Sequence, residues 1–145
     1  MNLDRRVSLA VVVIAVTLVP ACTRRAPTAA PSVPSRILQT QTGLASYYGA
    51  EFHGKTMASG RLFDMNALVA AHPRFPLGTL VRVTNLANGR SVQVRVEDRG
   101  PARQPQAEGV IIDLSQRAAE RLGFIRQGRT RVRLDVLQWA SSSRR

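Results

Sequence analysis

The segment Val92–Pro101 constrains the fold of this chain more than any other stretch of its sequence. It reads Val-Gln-Val-Arg-Val-Glu-Asp-Arg-Gly-Pro, so apolar and polar residues alternate over its first six positions. A period of two is typical of a β-strand that is buried on one face. The alternation predicts a buried row that consists of Val92, Val94, Val96 and Asp98. The glycine and proline that follow predict the end of the strand, since proline cannot continue a ladder of hydrogen bonds.

Asp98 is the candidate functional residue of this strand, because it ends the apolar row where the strand leaves the core. Partial loss of water raises the pKa of a carboxyl group, and a raised pKa allows proton donation near neutral pH. The alternative is a structural aspartate that accepts N–H groups of its own turn. The neighbouring Glu97 is expected on the opposite face, exposed to solvent on the side of Arg95.

Further strands and a helix follow from the same kind of pattern. Asn88-Gly89 is a strong hairpin signal that joins the alternating segments Leu80–Asn85 and Ser91–Glu97. Ser115 and Gly123 occupy the positions of the first and last caps of a helix. The remaining apolar segments are Leu44–Gly49, Leu68–His72, Val110–Ile112 and Arg131–Leu137. Many short strands with one or two short helices predict a mainly β fold, a small barrel.

The N-terminus predicts export and lipid anchoring. Residues 1–21 combine Arg5 and Arg6 with an apolar run too short to span a bilayer, which is typical of a signal peptide. Val19-Pro20-Ala21-Cys22 is similar to the cleavage site of a bacterial lipoprotein signal, so Cys22 is the expected lipid anchor. The alternative is a plain secretory signal followed by an incidental buried thiol.

These features divide the chain into four parts. After the signal peptide, residues 22–42 contain three prolines among small and polar residues and are predicted to be a disordered linker. The barrel is predicted over residues 43–138, and residues 139–145 form a frayed tail. We expect such a protein in the bacterial cell envelope, anchored to a membrane and facing the periplasm. Where two membranes exist, the outer membrane is the expected one.

The charge of the chain favours polyanionic partners. It has 21 basic and 9 acidic residues and a formal net charge of +12. Nucleic acid is not the expected partner, because an exported chain rarely meets it and aromatic residues, at 5%, are too few for a stacking surface. Anionic surfaces of the envelope fit better. The sequence has no cluster of His and Cys with metal-ligand spacing, and no metal or other cofactor is expected.

The segment from Ala45 to Leu137 resembles the rare lipoprotein A family (RlpA-like proteins). The matching motifs are Ala-Ser-Tyr-Tyr-Gly at 45–49, Phe-His-Gly at 52–54, Ala-Ser-Gly at 58–60, Phe-Asp-Met-Asn-Ala-Leu at 63–68, Ala-Ala-His at 70–72, Pro-Leu-Gly-Thr at 76–79, Arg-Val-Thr-Asn at 82–85, Asn-Gly-Arg at 88–90, Asp-Arg-Gly-Pro at 98–101 and Ile-Asp-Leu-Ser at 112–115. The resemblance implies a six-stranded double-psi β-barrel. It also implies an endolytic lytic transglycosylase that cleaves MurNAc-GlcNAc bonds of peptidoglycan glycan strands and leaves 1,6-anhydro ends. A monomer is expected.

The resemblance implies two catalytic residues, Asp98 as general acid and base and His72 as an assisting group. His72 is equally compatible with a buried, hydrogen-bonded histidine. The family carries a glutamate at the position of Arg61, and a guanidinium cannot donate a proton at a useful pH. The alternative function is therefore a lipoprotein that binds peptidoglycan without cleaving it. A third hypothesis is a basic envelope protein that contacts anionic lipid or a partner.

The expected substrate groove consists of Arg61, Ser59, Gly60, Tyr48, Asp64 and Arg99. Arg61 is expected to hold substrate carboxylates. Asp64 is also a candidate cap of a single helical turn. Asp113 is expected to be structural, holding a turn through backbone N–H groups.

Overall fold

The computed structural model describes residues 36–141 of the chain, and these form a closed barrel of six strands. The strands are β1 (Gln39–Tyr47), β2 (Val69–Ala71), β3 (Leu80–Asn85), β4 (Ser91–Asp98), β5 (Val110–Leu114) and β6 (Thr130–Gln138). Two short helices are present, α1 (Arg103–Ala107) and α2 (Gln116–Leu122), with 3-10 turns at Ala50–Phe52 and Ile125–Gln127. The mainly β, six-stranded barrel that the sequence predicted is confirmed.

The strands follow one another around the barrel in the order β1-β5-β2-β4-β3-β6. The pairs β1/β5 and β2/β4 are parallel, and the other four pairs are antiparallel. Segments far apart in sequence therefore lie side by side. In particular, β1 brings Ser46 next to Asp113 of β5, and β2 brings Ala71 next to Asp98 of β4.

The barrel interior is filled by the apolar rows that the alternation predicted. In the β3–β4 hairpin Val81 pairs with Val94 and Val83 with Val92, and all four are buried. On α2, Ala118, Ala119 and Leu122 are also completely buried. The helix begins where the Ser115 hydroxyl accepts the N–H of Ala118 and ends at Gly123, in the left-handed conformation.

A β-bulge in β4 changes the position of Glu97. Ala70 of β2 pairs with Val96 and Ala71 with Asp98, so Glu97 has no partner of its own in β2. Glu97 is 5% exposed, although the sequence predicted a solvated side chain. The prediction was wrong because simple alternation holds only while the strand is regular. A bulge and a covering loop are not visible in a period-two pattern.

The barrel begins earlier than the predicted boundary at Gly43. Gln39 already pairs with Val136 of β6, although the Gln and Thr residues at 39–42 show no apolar alternation. At the other end β6 runs to Gln138, and Trp139 packs edge-on against Phe75 with ring centroids 5.4 Å apart. The predicted signal peptide, Cys22 and the linker up to residue 35 lie outside the described residues. Over residues 36–141, no helix has the length and apolar character needed to cross a bilayer.

Candidate active site

A continuous groove crosses one end of the barrel and consists of two adjoining cavities. Their volumes are about 320 and 570 Å³, and both are lined by Tyr48, Phe52 and Arg99. Asp98 lines the smaller cavity and Asp113 lines the larger one. Each of the two adjoining cavities thus contributes one carboxyl group to the groove.

Asp98 is held by the backbone on one of its two oxygens. Its Oδ1 accepts the N–H of Ala58 at 2.9 Å and the N–H of Arg99 at 2.8 Å. These two hydrogen bonds fix the orientation of the carboxyl group. Asp98 therefore receives a backbone N–H bond from its own turn, as the structural interpretation predicted, and it also lines the smaller cavity.

Asp113 is the acid of the groove that the sequence did not identify as functional. Its residue surface is 9% exposed, and its Oδ1 accepts the Ser46 hydroxyl. Burial raises the pKa of Asp113, and the nearby charge of Asp98 raises it further, against the opposing effects of Ser46 and Arg129. The side chain of Asp113 therefore accepts a hydrogen bond from a serine hydroxyl on β1. The sequence had predicted that it would hold a turn through backbone N–H groups. The parallel pairing of β1 with β5 creates this contact, and no local motif announces it.

Tyr48 lines both cavities and lies near both carboxyl groups. Its ring packs against Phe52 and Phe63, with centroids 5.1 and 5.5 Å away. Burial raises the pKa of Tyr48, with additional contributions from the charges of Asp113 and Asp98, so its phenol stays neutral. A Cβ at Gly100 would lie 2.8 Å from the Tyr48 phenol oxygen and 3.3 Å from Asp113 Oδ2. Glycine at position 100 therefore permits the close approach of β4's end to both groups.

Three basic side chains, Arg99, Lys55 and Arg103, give the groove its positive charge. Arg99 donates through Nη1 to the carbonyl oxygens of Phe75, at 2.7 Å, and His72, at 3.3 Å, which fixes its guanidinium along the wall. Lys55, the only lysine in the sequence, places its ammonium 4.6 Å from the centre of the Phe52 ring, a cation–π contact. Phe52 and Lys55 were not predicted as groove residues, since an exposed Phe and Lys in a polar loop carry no distinguishing pattern.

His72 lies beneath the groove rather than in it. It is 0% exposed and its ring stacks on Phe75 with centroids 3.6 Å apart. Its Nδ1 accepts the N–H groups of Arg74 and Phe75, so the proton is assigned to Nε2, which contacts Gln41 Oε1 at 3.2 Å. Burial, with the charges of Arg74 and Arg99, lowers the pKa of His72 to about 4. The backbone N–H of His72 donates to the carbonyl oxygen of Asp98 at 3.2 Å, a main-chain contact that does not involve the imidazole.

The other predicted groove residues belong to the rim. Ser59, Gly60 and Arg61 lie on a short hairpin closed by the bridge between Thr56 and Leu62, which we call the rim hairpin (55–63). None of these three residues lines either cavity. Asp64 follows the rim hairpin and accepts the N–H of Asn66 at 2.8 Å, which makes it a turn residue, with no helical turn after it.

No metal site is evident in the part of the chain that the structure describes. Residues 36–141 contain no group of three or more His, Cys, Asp and Glu side chains placed to hold an ion. The ionisable groups that line the groove are two carboxyl groups, a neutral phenol and the three cations Lys55, Arg99 and Arg103.

A family model described as "Lytic transglycolase" matches residues 40–134. This chain belongs to the RlpA-like double-psi β-barrel family. Over 98 residues it is 50% identical to the endolytic peptidoglycan transglycosylase RlpA of Neisseria meningitidis, a match covering 68% of this chain and 39% of that protein. Identity to the Yersinia pestis protein of the same name is 50% over 101 residues, covering 70% of this chain and 26% of the relative. The chain thus spans 39% or less of the length of these relatives.

Solved structures share the barrel with this family member. A Streptomyces papain inhibitor is 26% identical with a TM-score of 0.54, a match covering 70% of this chain and 97% of the inhibitor. An expansin of Clavibacter michiganensis, solved as a mutant in complex with cellohexaose, is 23% identical with a TM-score of 0.52, covering 71% and 53%. The expansin likeness shows the fold alone.

The departure from the RlpA-like motif at position 61 has a structural counterpart. Arg61 Nη1 lies 3.6 Å from Oε1 of Glu97, the residue that the bulge buries. The Arg61 side chain is 72% exposed and that of Glu97 is 7% exposed. The expected carboxylate at 61 is thus absent, but a different carboxylate lies next to that position.

Proposed function

We propose that this protein is a lytic transglycosylase that cleaves the MurNAc-GlcNAc bonds of peptidoglycan glycan strands and leaves 1,6-anhydro ends. Its relatives of similar sequence carry the name endolytic peptidoglycan transglycosylase. The observation that carries the proposal is a groove with two carboxyl groups in different environments. Asp113 is buried with a raised pKa, while Asp98 is less buried and accepts two backbone N–H groups on Oδ1. Such a difference assigns opposite proton-transfer roles to two acids.

The reaction needs one proton donor and one proton acceptor. Asp113 donates its proton to the glycosidic oxygen as the bond from that oxygen to C1 of the muramyl residue breaks. The 6-hydroxyl of the same sugar forms the new bond to C1, and its proton passes to the carboxylate of Asp98. Asp98 also stabilises the positive charge that develops at C1. No water is consumed, and exchange with solvent returns both carboxyl groups to their starting states.

The remaining groove residues bind and orient the strand. Phe52 offers a partly exposed ring, 38% accessible, against which a sugar can stack. Lys55 and Arg99 supply positive charge for the carboxylates of muramyl substituents. The neutral phenol of Tyr48 can donate a hydrogen bond to a sugar oxygen between the two acids.

The location follows from the sequence-based expectations at the N-terminus. The protein is held in the bacterial cell envelope by lipid on Cys22 and faces the periplasm, on the outer membrane where there are two membranes. Its partners are the glycan strands and the membrane, and it acts as a monomer without nucleic acid, metal or cofactor. Mass spectrometry of the mature N-terminal peptide tests the lipid on Cys22.

The experiment is digestion of purified glycan strands by the full chain in detergent, with anhydro-muramyl products identified by mass spectrometry. Asp98→Asn and Asp113→Asn should each lower the rate about 100-fold or more. Glu120→Gln is the matched control, because Glu120 is an exposed acid on α2 paired with Arg117, and it should retain full activity. Binding of strands by the wild type without products would instead identify a non-catalytic lipoprotein. Full activity of both aspartate variants would refute the assignment of the site.

A further inference from the structure

The rim hairpin makes three contacts with the last two residues of β4, Glu97 and Asp98. The Ala58 N–H donates to Asp98 Oδ1 at 2.9 Å, the Ser59 N–H donates to the Glu97 carbonyl oxygen at 3.0 Å, and Arg61 pairs with the Glu97 carboxylate at 3.6 Å. The first of these contacts reaches the catalytic carboxylate itself. The position of the rim hairpin therefore decides whether Asp98 keeps one of its two donors.

The ion pair is asymmetric in its exposure to water. The Glu97 side chain is only 7% exposed, so its carboxylate has little access to water and gains from a nearby counter-charge. Arg61 is mostly exposed, so its charge is solvated whether or not the pair forms. The pair consequently matters for Glu97, and through Glu97 for the bulge that precedes Asp98.

We infer that Arg61 and Glu97 form an ionic latch that holds the rim hairpin on β4 and keeps the Ala58 N–H on Asp98. Arg61 is then a positioning residue for the catalytic carboxylate, and its occurrence in place of the family glutamate does not remove the activity.

The latch predicts an asymmetric double-mutant cycle, measured by hydrogen exchange of backbone amides in the full chain. Arg61→Ala should accelerate exchange of the Ala58 amide about tenfold, because buried Glu97 loses its counter-charge and the rim hairpin opens. Glu97→Gln should accelerate it less, since no charge is left buried. In the Glu97→Gln background, Arg61→Ala should have no further effect. Arg61→Lys should restore exchange close to the wild-type rate.

A matched control is available on the helix. Arg117 and Glu120 form an exposed pair at 3.5 Å, so Arg117→Ala should leave exchange of Ala58 unchanged. Equal effects of Arg61→Ala in the wild-type and Glu97→Gln backgrounds would refute the latch. An unchanged Ala58 amide in Arg61→Ala would refute it as well.

A second readout rests on the proposed function. Arg61→Ala should lower kcat for glycan cleavage about tenfold with KM changed less than about twofold, because Asp98 is misplaced while the binding surface remains. Arg61→Lys should recover kcat, which a general loss of folding would not explain. If the wild type cleaves no glycan, the proposed function fails while the exchange measurements still test the latch. If cleavage is normal and the exchange cycle shows no coupling, the latch alone fails.

Discussion

His72 should make the stability of the barrel fall as the pH decreases from neutral. Its pKa is lowered from 6.5 to about 4 in the folded protein, mainly by burial. Between these values the unfolded chain binds a proton on this histidine and the folded chain does not, so unfolding is favoured as the pH falls. At 1.36 kcal/mol per unit of pKa, the shift corresponds to about 3 kcal/mol of stability, present above pH 6.5 and lost by about pH 4.

Urea unfolding of the full chain at pH values from 7.5 to 4 measures this effect. The signal is the fluorescence of Trp139, the only tryptophan, which packs on the ring that stacks against His72. Asp113 titrates with the opposite sign, because its raised pKa adds stability at low pH, so the quantity of interest is the difference between the wild type and His72→Gln. Between pH 7.5 and pH 4, the free energy of unfolding of the wild type should fall by about 3 kcal/mol relative to that of His72→Gln.

Substitution of the exposed His53 provides the control for this experiment. His53→Gln also removes one imidazole, but from a side chain that is half-exposed and lies outside the core. Parallel curves for the wild type and His72→Gln would refute the reasoning. That result would mean that His72 is solvated enough to titrate near neutrality, and would return it to the list of groups able to transfer a proton.

Three further predictions concern the rim hairpin and the groove. Arg61→Glu, which restores the residue of the family motif, should not raise activity, and it should lower the free energy of unfolding by about 1 kcal/mol because it places a second carboxylate next to Glu97. Adding Glu97→Gln should recover most of this loss in urea unfolding. Ser46→Ala should move the alkaline limb of the pH profile of kcat to higher pH, because the Ser46 hydroxyl lowers the pKa of Asp113 in the wild type. A shift to lower pH would contradict the role of Asp113 as the proton donor. Gly100→Ala should lower kcat about 100-fold while the circular dichroism spectrum stays native, because the added methyl group would lie 2.8 Å from the phenol oxygen of Tyr48. A kcat equal to that of the wild type would show that the groove accommodates the methyl group.

Local patterns in the sequence determined much of the barrel. The alternation in β3, β4 and β6 and the turn at Asn88-Gly89 predicted which side chains fill the interior, and these residues are buried. Ser115 and Gly123 predicted both ends of α2. A strand face and a helix cap depend on residues a few positions apart, so a single sequence contains the information. The Asp-Arg-Gly-Pro motif likewise identified Asp98 as a groove residue.

Only the tertiary structure decided the electrostatics of the groove. Asp113 meets Ser46, 67 residues away, through a parallel strand pair, and that contact with its burial separates this acid from an ordinary turn aspartate. Glu97 is buried because a bulge and the rim hairpin cover it, and His72 is buried because the chain after β2 folds over its ring. Periodicity reports which way a side chain points, but the pKa of a group depends on what covers it and which charges come near. Those neighbours arrive from distant segments when the barrel closes.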